Sequence, residues 1–315
     1  MDVISGVPQG SVLGPVLFLI FINDIESVCC GSTNHQLFAD DLKLYSTVEV
    51  DDGSQSLQQS IDNLVAWADR WQLGINISKC AVLNVGPKRK KLCRSNYFIN
   101  NVQISSKDVV ADLGVQVDSG LSYRIHISNI VARATQRVGI LFRGFLTRDL
   151  DFMRKAFICY IRPLVEYNSV VWNPQFKLYI ALIEKVQRRF TKRIPSLHDL
   201  PYEERLAMIN LEPLELRRLR FDLFNYYKIL HNQSPIIPSD HFNFYHPAAA
   251  SRTVSPKLLR SAKGNNAVMH SFFNRSIDCW NSLPHDLKYC SSCDTFKKQL
   301  KTVDLSNFLH VFKTG

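Results

Sequence analysis

The stretch HQLFADDLKLY (residues 35–45) sets two adjacent carboxylates, Asp40 and Asp41, between two short apolar runs. Neighbouring anions repel, so this pair costs stability unless a turn, water or a cation accommodates the charge. The flanking runs HQLFA and LKLYSTV predict a β-hairpin with the acids at its tip, the place where both can approach one ion. Mg²⁺ prefers such carboxylate oxygens, although an Asp pair in a tight turn is usually ordinary solvated turn chemistry.

Charge is distributed unevenly along the 315 residues, which carry a formal net charge of +10. Residues 1–78 hold two basic and ten acidic side chains, whereas residues 79–315 hold 36 basic and 18 acidic ones. The acidic part suits a cation-binding centre, and the basic part indicates a surface for a polyanion such as nucleic acid. The eight cysteines are irregularly spaced and no secretory signal pattern opens the chain, which favours reduced intracellular thiols.

Residues 1–118 are predicted to be an α+β region, with helices packed on an antiparallel sheet. The longest apolar run, VLFLIFI (16–22), is far too short to cross a bilayer and predicts a buried helix. Apolar side chains recur at helical spacing between Asp51 and Trp71. Three later runs predict strands: CAVLNVG (80–86), NYFINNVQI (96–104) and VVADLGVQV (109–117).

The pattern becomes helical after Ser119. Apolar side chains from Ile127 to Phe145 keep an i, i+3, i+4 register, with Arg133 and Arg137 on another face. Further helical patterns occupy residues 150–172, 177–193, 200–209 and 213–231. A Pro-, Ser- and His-rich segment, about 232–262, is the best linker candidate and precedes a small last unit. The predicted divisions are therefore 1–118, 119–232 and 233–315.

The glycine- and proline-rich stretch SGVPQGSVLGP (5–15) is a second candidate site. Glycine lets the backbone approach a ligand closely, and proline directs the chain into the helix that follows. The same composition also suits a loop and helix cap that bind no ligand. Lys79 is a third candidate, although a lone lysine at a strand edge is most often solvated. Near a phosphate-handling centre it could neutralise charge or give a proton to a leaving group.

Four basic residues cluster at the end of the helical pattern 177–193: Arg188, Arg189, Lys192 and Arg193. A solvated helix face explains any one of them as well as a phosphate contact does. Residues 120–232 as a whole hold 19 basic and 10 acidic side chains, which favours nucleic-acid contact by the region.

Taken in order, these stretches resemble the reverse transcriptases of non-LTR retrotransposons of the jockey and CR1 type. SGVPQGSVLGP is similar to their motif B, and FADD (38–41) is similar to their catalytic YADD box, with Phe38 in place of Tyr. LGINISKC (73–80) resembles motif D, and DLGVQVD (112–118) resembles the primer grip. Likeness continues through LSYRIHISNIVARATQRVGIL, YIRPLVEYNSVVWNP and WNSLPHDLK, so that essentially the whole chain is covered.

The resemblance implies a partial polymerase palm, then an all-helical basic thumb and a small tail. It implies an RNA-directed DNA polymerase, a nucleotidyltransferase that extends a DNA primer on an RNA template with deoxynucleoside triphosphates. The nucleus and cytoplasm are the expected locations, with no membrane partner. Cys290 and Cys293 form a CxxC pair, but the segment otherwise resembles the family's tail, so no zinc is expected.

The resemblance also assigns roles to residues of this chain. Asp40 and Asp41 would hold Mg²⁺ (or Mn²⁺), and Lys79 would assist near the triphosphate. Phe38 would pack beneath the primer end, and Gly114 would mark the primer grip. The residues expected to border the template–nucleotide pocket are Ser5, Gly6, Pro8, Gln9 and Gly10. Those expected to contact the nucleic-acid backbone are Arg133, Arg137, Arg188, Arg189, Lys192 and Arg193.

One departure from the family concerns the first catalytic carboxylate. Such polymerases carry it on a strand N-terminal to the SGVPQG loop, and here only MDVI precedes that loop. The fingers and first palm strands are therefore expected to be missing, which would leave this chain inactive alone and the VLFLIFI helix exposed. The alternative is a non-catalytic nucleic-acid-binding remnant of a decayed or incompletely predicted element.

Overall fold

The structure is a computed structural model that describes residues 10–47, 52–86, 95–245, 257–261 and 266–311. The chain divides into two compact units, Met1–Val110 (unit 1) and Ala111–Gly315 (unit 2). Unit 1 mixes helices with short strands, and unit 2 is mainly helical. The mixed α+β class predicted from the sequence is thus confirmed, while the division into palm, thumb and tail stays a prediction.

Unit 1 contains two α-helices and six short strands among its described residues. The helices are α1 (Gly14–Phe21) and α2 (Asp52–Arg70), and two 3₁₀ helices cover Asn23–Val28 and Ile77–Lys79. The strands are β1 (Asn34–Phe38), β2 (Asp41–Tyr45), β3 (Ala81–Val82), β4 (Phe98–Ile99), β5 (Val102–Gln103) and β6 (Ser105–Ser106). The predicted helix between Asp51 and Trp71 is confirmed.

One of the two buried clusters of unit 1 lies between α2 and the β1–β2 hairpin, and the other packs Ile61 of α2 against Tyr97, Ile99 and Ile104. Leu37, Leu42 and Leu44 are on one face of the hairpin and join a cluster that includes Trp67 and Ala68 of α2. The Trp67 indole Nε1 also donates a hydrogen bond of 2.9 Å to a carboxylate oxygen of Asp24. This bond secures α2 to the neighbouring 3₁₀ helix, because a buried indole N–H needs an acceptor.

The single antiparallel sheet predicted for residues 1–118 is not observed among the described residues, where the strands form separate two-stranded ladders. NYFINNVQI is not one strand but the hairpin β4–β5, because Asn100 (φ 50°) and Asn101 (φ 62°) form its turn. Two central residues with positive φ are typical of a type I′ hairpin turn, and asparagine tolerates this conformation. The predicted strand 80–86 is shorter than expected: only Ala81–Val82 pairs, in parallel with β6.

Helix α1 is exposed, so the prediction that VLFLIFI forms a buried helix is wrong for the described structure. Val16 is 53% exposed and Ile20 is 68% exposed. Its sequence is apolar on every side, but the core of unit 1 covers only the stripe that carries Phe18 and Phe21.

A third hairpin spans the boundary between units 1 and 2, and unit 2 continues from it as helices. VVADLGVQV, predicted as one strand, forms β7 (Val109–Asp112) and β8 (Val115–Asp118), because Leu113 (φ 44°) and Gly114 (φ 82°) make a two-residue turn between them. The first helices are α3 (Arg124–Gly144), α4 (Leu150–Ala156), α5 (Arg162–Glu166), α6 (Ser169–Trp172), α7 (Lys177–Lys192), α8 (Tyr202–Ile209) and α9 (Leu214–Leu230). A π-helical turn, Phe157–Ile161, joins α4 to α5. The four predicted helical patterns are confirmed.

Within the linker candidate 232–262, the described residues include a short helix and a two-stranded ladder. They are α10 (Pro238–His241), β9 (Asn243–Tyr245) and β10 (Lys257–Leu259), and β9 pairs antiparallel with β10. The remaining helices are α11 (Asn266–Met269), α12 (Phe272–Arg275), α13 (Ile277–Ser282), α14 (His285–Lys288) and α15 (Cys293–Leu300), and two short 3₁₀ helices cover Pro195–Leu197 and Ser306–Phe308.

Two buried clusters stabilise unit 2, and α9 contributes to both. The first packs the apolar faces of α3 and α7 together, including Ala134 and Phe190, which are fully buried. The second surrounds Tyr226 of α9 with Trp280 and Phe296 from the C-terminal helices. The i, i+3, i+4 register predicted from Ile127 onward is confirmed by this burial. Within the described ranges, no helix combines the length and apolar character that a membrane span needs.

Candidate functional site

The β1–β2 hairpin carries the two acids at its tip, as predicted. Phe38 pairs with Asp41 across the ladder, so Ala39 and Asp40 form the two-residue turn and Asp41 begins β2. Ala39 has φ 50°, a left-handed conformation that costs an L-residue about 1 kcal/mol. The tight turn brings both acids to one end of the hairpin, with their side chains exposed to solvent.

The two faces of this hairpin differ in their chemistry. His35, Leu37, Leu42 and Leu44 are partly buried, whereas Phe38, Asp41 and Lys43 lie on the exposed face. Asp41 therefore has the ring of Phe38, 63% exposed, directly across the ladder. A flat ring beside a carboxylate offers a stacking surface next to an anionic group, which suits a nucleotide end near a cation.

The two carboxylates fit a divalent cation in part. Both supply hard oxygen ligands, and Mg²⁺ is usually held by one or two carboxylates together with water and substrate phosphates. In the ranges that the structure describes, no group of three or more His, Cys, Asp or Glu side chains could hold a metal. The hairpin tip thus supplies at most two protein ligands.

The glycine-rich loop is described only from Gly10 onward, and Ser5, Gly6, Pro8 and Gln9 lie outside the described residues. Gly10 has φ 84°, a conformation that favours glycine. The hydroxyl oxygen of Ser11 accepts a hydrogen bond of 3.1 Å from the backbone N of Gly14 at the start of α1. This bond holds the end of the loop against the first residue of α1.

Lys79 is the last residue of the 3₁₀ helix Ile77–Lys79 and is exposed. The preceding turn is held by a hydrogen bond of 2.7 Å from the Ser78 hydroxyl to the side-chain oxygen of Asn76. The structure shows no ion pair between Lys79 and a described acidic residue, so its ammonium group is free to meet an anionic ligand.

The turn that contains Gly114 is held by a residue that the sequence did not single out. The Tyr167 hydroxyl donates a hydrogen bond of 3.0 Å to the carbonyl oxygen of Leu113. A Cβ added at Gly114 would lie 3.3 Å from the Tyr167 ring, so the ring covers the turn closely. The indole N–H of Trp172 donates a hydrogen bond of 2.8 Å to the carbonyl oxygen of Tyr167 and so holds Tyr167 in place. The only sequence signal was the place of Tyr167 in the family-like stretch YIRPLVEYNSVVWNP.

The six arginines and lysines assigned to nucleic-acid contact are all exposed. Arg133 and Arg137 lie on the outer face of α3. Two residues at the end of α7 stack on rings: the Arg193 guanidinium carbon is 4.2 Å from the centroid of Phe142, and that of Arg188 is 4.6 Å from the centroid of Tyr202. Stacking restrains these long side chains and lowers the entropy that a phosphate contact would cost.

Arg148 extends this basic surface and was not predicted. Its guanidinium donates hydrogen bonds of 3.0 Å to the carbonyl of Phe142 and 2.8 Å to that of Thr147, and it lies 5.1 Å from the Phe142 ring centroid. These contacts place a cation at the C-terminus of α3, where it complements the helix dipole. An open groove is lined by this arginine with Lys192, Arg193 and His198.

The inner face of α7 is anchored to its neighbouring helices by a buried carboxyl group. Glu184 is fully buried and accepts a hydrogen bond of 2.6 Å from the Tyr202 hydroxyl and one of 3.0 Å from the backbone N of Leu214. Burial raises the pKa of Glu184, and burial also raises the pKa of Tyr202. One buried carboxyl group thus joins α7 to α8 and to the start of α9.

The CxxC pair takes part in ordinary hydrogen bonding. Cys293 Sγ donates to the side-chain oxygen of Gln233 at 2.7 Å, and the carbonyl of Cys290 accepts from the Tyr227 hydroxyl at 2.7 Å. All the described cysteines are free thiols. The expected absence of zinc stays a prediction.

Comparisons with known proteins find a family that the N-terminal region resembles. Residues 3–117 match the family described as reverse transcriptase (RNA-dependent DNA polymerase). Within that match lie the hairpin tip, the glycine-rich loop, Lys79 and Gly114. No solved structure matches the chain significantly.

Three curated relatives are RNA-directed DNA polymerases of mobile elements. The chain is 26% identical over 200 residues to the probable polymerase from transposon X-element of Drosophila melanogaster, covering 61% of this chain and 22% of the relative. It is 28% identical to the polymerase from mobile element jockey of Drosophila funebris, covering 60% and 22%. The jockey polymerase of Drosophila melanogaster is 30% identical over 200 residues, with the same coverage of 60% and 22%.

The chain spans about a fifth of the length of these relatives. The match to residues 3–117 and the three relatives agree on one chemistry, and the jockey likeness expected from the motifs is confirmed. The chain therefore contains a region that matches the reverse transcriptase family model, and it is similar to the RNA-directed DNA polymerases of transposons of the jockey and X-element kind.

Proposed function

We propose that this chain is the C-terminal part of an RNA-directed DNA polymerase of a non-LTR retrotransposon, with a partial palm, a basic helical thumb and a tail. The observation that carries the proposal is the exposed Asp40–Asp41 pair at the tip of a tight hairpin, inside the region that matches the reverse transcriptase family. The reaction is attack of a primer 3′-hydroxyl on a deoxynucleoside triphosphate, directed by an RNA template. The polymerase would act in the nucleus and cytoplasm.

Asp40 and Asp41 are the residues that would hold Mg²⁺ or Mn²⁺. The ion, when bound, would neutralise the charge that develops on the phosphates during transfer. Phe38, across the ladder from Asp41, would support the terminal base of the primer. Lys79 would neutralise the triphosphate or give a proton to its leaving group.

Two further parts of the chain would hold template and primer. The loop residues Ser5, Gly6, Pro8, Gln9 and Gly10 would border the pocket for the template base and the incoming nucleotide. The turn at Gly114 would grip the primer, and Tyr167 would keep that turn in place through its bond to Leu113.

The outer faces of α3 and α7 would contact the sugar–phosphate backbone. Unit 2 holds 29 basic and 17 acidic residues, a net charge of +12, so its field attracts a polyanion. The residues that would carry these contacts are Arg133, Arg137, Arg188, Arg189, Lys192 and Arg193.

Two carboxylates alone would position the cation poorly, and phosphoryl transfer depends on positioning. The family resemblance assigns a third carboxylate to a strand ahead of the glycine-rich loop. We therefore propose that these 315 residues do not extend a primer unless that part is supplied.

A second candidate is a nucleic-acid-binding remnant without catalysis. This candidate is favoured by the number of available carboxylates, since the described residues offer two acids at the hairpin tip and no third. The basic surface of unit 2 does not depend on those acids, so binding would survive the loss of catalysis.

Fusion to a related element separates the two candidates. The fingers and first palm strands of a related element, joined to Met1, should restore primer extension on an RNA template with Mg²⁺. In the fused chain, Asp40→Ala should lower the rate by at least about 1,000-fold, because the cation would lose a ligand. Asp69→Ala removes another exposed acid, on α2, and should leave the rate unchanged.

Three results would decide against parts of the proposal. An inactive fusion that still binds RNA would favour the remnant. Equal activity of the fused Asp40→Ala variant would refute the catalytic assignment. Asp40-dependent extension by the 315 residues alone would show that they need no added carboxylate.

A further inference from the structure

Unit 2 contains a cavity that the proposed polymerase site does not use. Its volume is about 420 Å³, and it is formed by residues that precede α3, by the α6–α7 connection, and by parts of α9, α11 and α12. This volume lies within the range of roughly 300–1,000 Å³ that is usual for small-ligand pockets. The cavity is large enough for a nucleotide-sized ligand.

Aromatic side chains form much of its wall. Phe176 is 56% exposed and pairs edge-on with Tyr179 at 6.5 Å between ring centroids. Phe272 and Phe273 line the cavity as well, 5.1 Å apart, and the buried ring of Trp172 contributes to its surface. Flat rings around an open volume are the surfaces on which unpaired bases stack.

The polar groups of the wall suit an anionic ligand with hydrogen-bonding edges. Lys228 is partly buried, and the structure shows it in no ion pair with a described residue. The side-chain nitrogen of Asn225 donates a hydrogen bond of 2.8 Å to the carbonyl oxygen of Phe221, while the side-chain oxygen of Asn225 has no partner among the described residues. A lysine kept without a counter-ion beside aromatic rings is complementary to a phosphate.

We propose that this cavity binds an unpaired nucleotide of single-stranded RNA, with the base against Phe176 and Tyr179 and its phosphate beside Lys228. The net charge of +12 on unit 2 would draw the strand to this surface, and the rings would then select an unstacked base. The inference rests on the proposed function, since it places one RNA contact on a unit proposed to bind nucleic acid. It adds a base-binding site apart from the template–nucleotide pocket.

The test measures binding of a fluorescein-labelled rA10 to the full chain by anisotropy at several salt concentrations. Phe176→Ala should weaken binding roughly tenfold, because stacking on the ring is lost, and should leave the salt dependence unchanged. Lys228→Gln should instead reduce the slope of log K against log salt by about 0.7, the loss of one phosphate contact on a single strand.

Two matched variants separate stacking from folding. Phe221→Ala removes a phenyl ring of similar exposure (48%) on α9 outside the cavity, and should bind rA10 like the unmodified chain. Phe176→Trp keeps a flat ring at the cavity and should retain binding where Phe176→Ala does not. Circular dichroism should show the same helix content for all variants.

A decamer of abasic nucleotides offers the phosphates without bases. It should bind the unmodified chain and the Phe176→Ala variant equally and more weakly than rA10. Unchanged rA10 binding by a folded Phe176→Ala variant, with salt dependence retained, would overturn the cavity assignment and leave the proposed function standing. Absence of salt-dependent binding to any RNA or duplex by the unmodified chain would overturn both.

Discussion

The acidic hairpin of unit 1 and the basic helices of unit 2 differ in how deeply the residues that support them are buried. Asp40 and Asp41 stand at the end of two five-residue strands whose inner leucines are only partly buried. The arginines of α7 stand on a 16-residue helix whose inner face, including Ile183 and Phe190, is fully buried. The basic surface is therefore supported by its own unit, while the acids rely on a short ladder and a strained turn.

This difference has a functional meaning. A phosphate contact tolerates imprecision, because it is a Coulomb attraction between a flexible cation and a diffuse anionic strand. A metal clamp needs its ligands placed closely, since positioning supplies much of the rate. In this chain the residues proposed to contact phosphates have the more buried support, which agrees with the proposal that binding is retained while catalysis depends on a further carboxylate.

The largest expected effect concerns the buried ion pair that joins α9 to α12. Arg275 donates two hydrogen bonds, 2.8 and 2.7 Å, to the carboxylate of Asp222, which is 1% exposed. Arg275→Ala should lower the free energy of unfolding of unit 2 by about 3–5 kcal/mol, because it leaves a buried charge without its main partner. Urea denaturation followed by circular dichroism would measure it.

The matched control is Arg154→Ala, which removes an arginine paired with Asp151 at 3.0 Å on an exposed surface. Its unfolding midpoint should not change, since exposed pairs contribute little. If both variants unfolded at the same urea concentration, the firm support ascribed to unit 2 would not lie in this pair.

The next effect concerns nucleic-acid affinity. Changing Arg188, Arg189, Lys192 and Arg193 together to Gln should weaken duplex binding roughly 100-fold at low salt and flatten the salt slope by up to about 3 to 4. The same change at Arg154 and Lys155, which already pair with Asp151, should have little effect. The test is the duplex affinity measured from low to moderate salt. Equal salt slopes for the two variants would contradict the proposal that the α7 residues contact phosphates.

The smallest effect concerns Asp118, which joins β8 to α3. Its carboxylate accepts hydrogen bonds from the backbone N of Ser122 (3.1 Å) and of Tyr123 (2.7 Å). Burial by itself would raise the pKa of Asp118, but the hydrogen bonds outweigh it and lower that pKa below its usual range. Asp118→Ala should cost about 1 kcal/mol at neutral pH, like the loss of a helix cap.

The pH dependence of that cost follows from the lowered pKa. A carboxylate whose pKa is lower in the folded state stabilises it above the unfolded pKa of about 3.9, and the stabilisation is lost as the pH falls through the folded pKa. The unmodified chain and the variant should therefore converge in stability at strongly acidic pH. A difference that stayed constant from pH 7 to pH 2 would show that Asp118 acts through packing.

Sequence periodicity predicted the long helices well and the short strands poorly. α3 and α7 follow their apolar register closely, because many residues agree on one buried face. Two predicted strands were hairpins, because Asn100–Asn101 and Leu113–Gly114 turn the chain inside runs that read as continuous. In strands this short, the conformation of one turn decides where the strand ends, so the alternation of apolar and polar residues does not predict its length.

The features of the candidate site also differ in whether the sequence could predict them. The turn at Asp40 was predictable, since the alternation on either side of it is local and strict. The contacts of Tyr167 and Arg148 were not, because each depends on which carbonyl or ring another part of unit 2 presents. Neither side chain has a spacing that would distinguish it from the other tyrosines and arginines of unit 2.

The acidic hairpin tip, the helical register of unit 2 and the segregation of charge can be read from the sequence, because each depends on residues close together in the chain. The covered stripe of α1, the acids and bases that are buried together, and the position of the aromatic cavity depend on how distant segments pack. Asp222 and Arg275 are separated by 53 residues, and the cavity draws on residues from Leu121 to Phe273. Burial is a property of distant segments packing together, and the free energy that selects those partners has no local pattern.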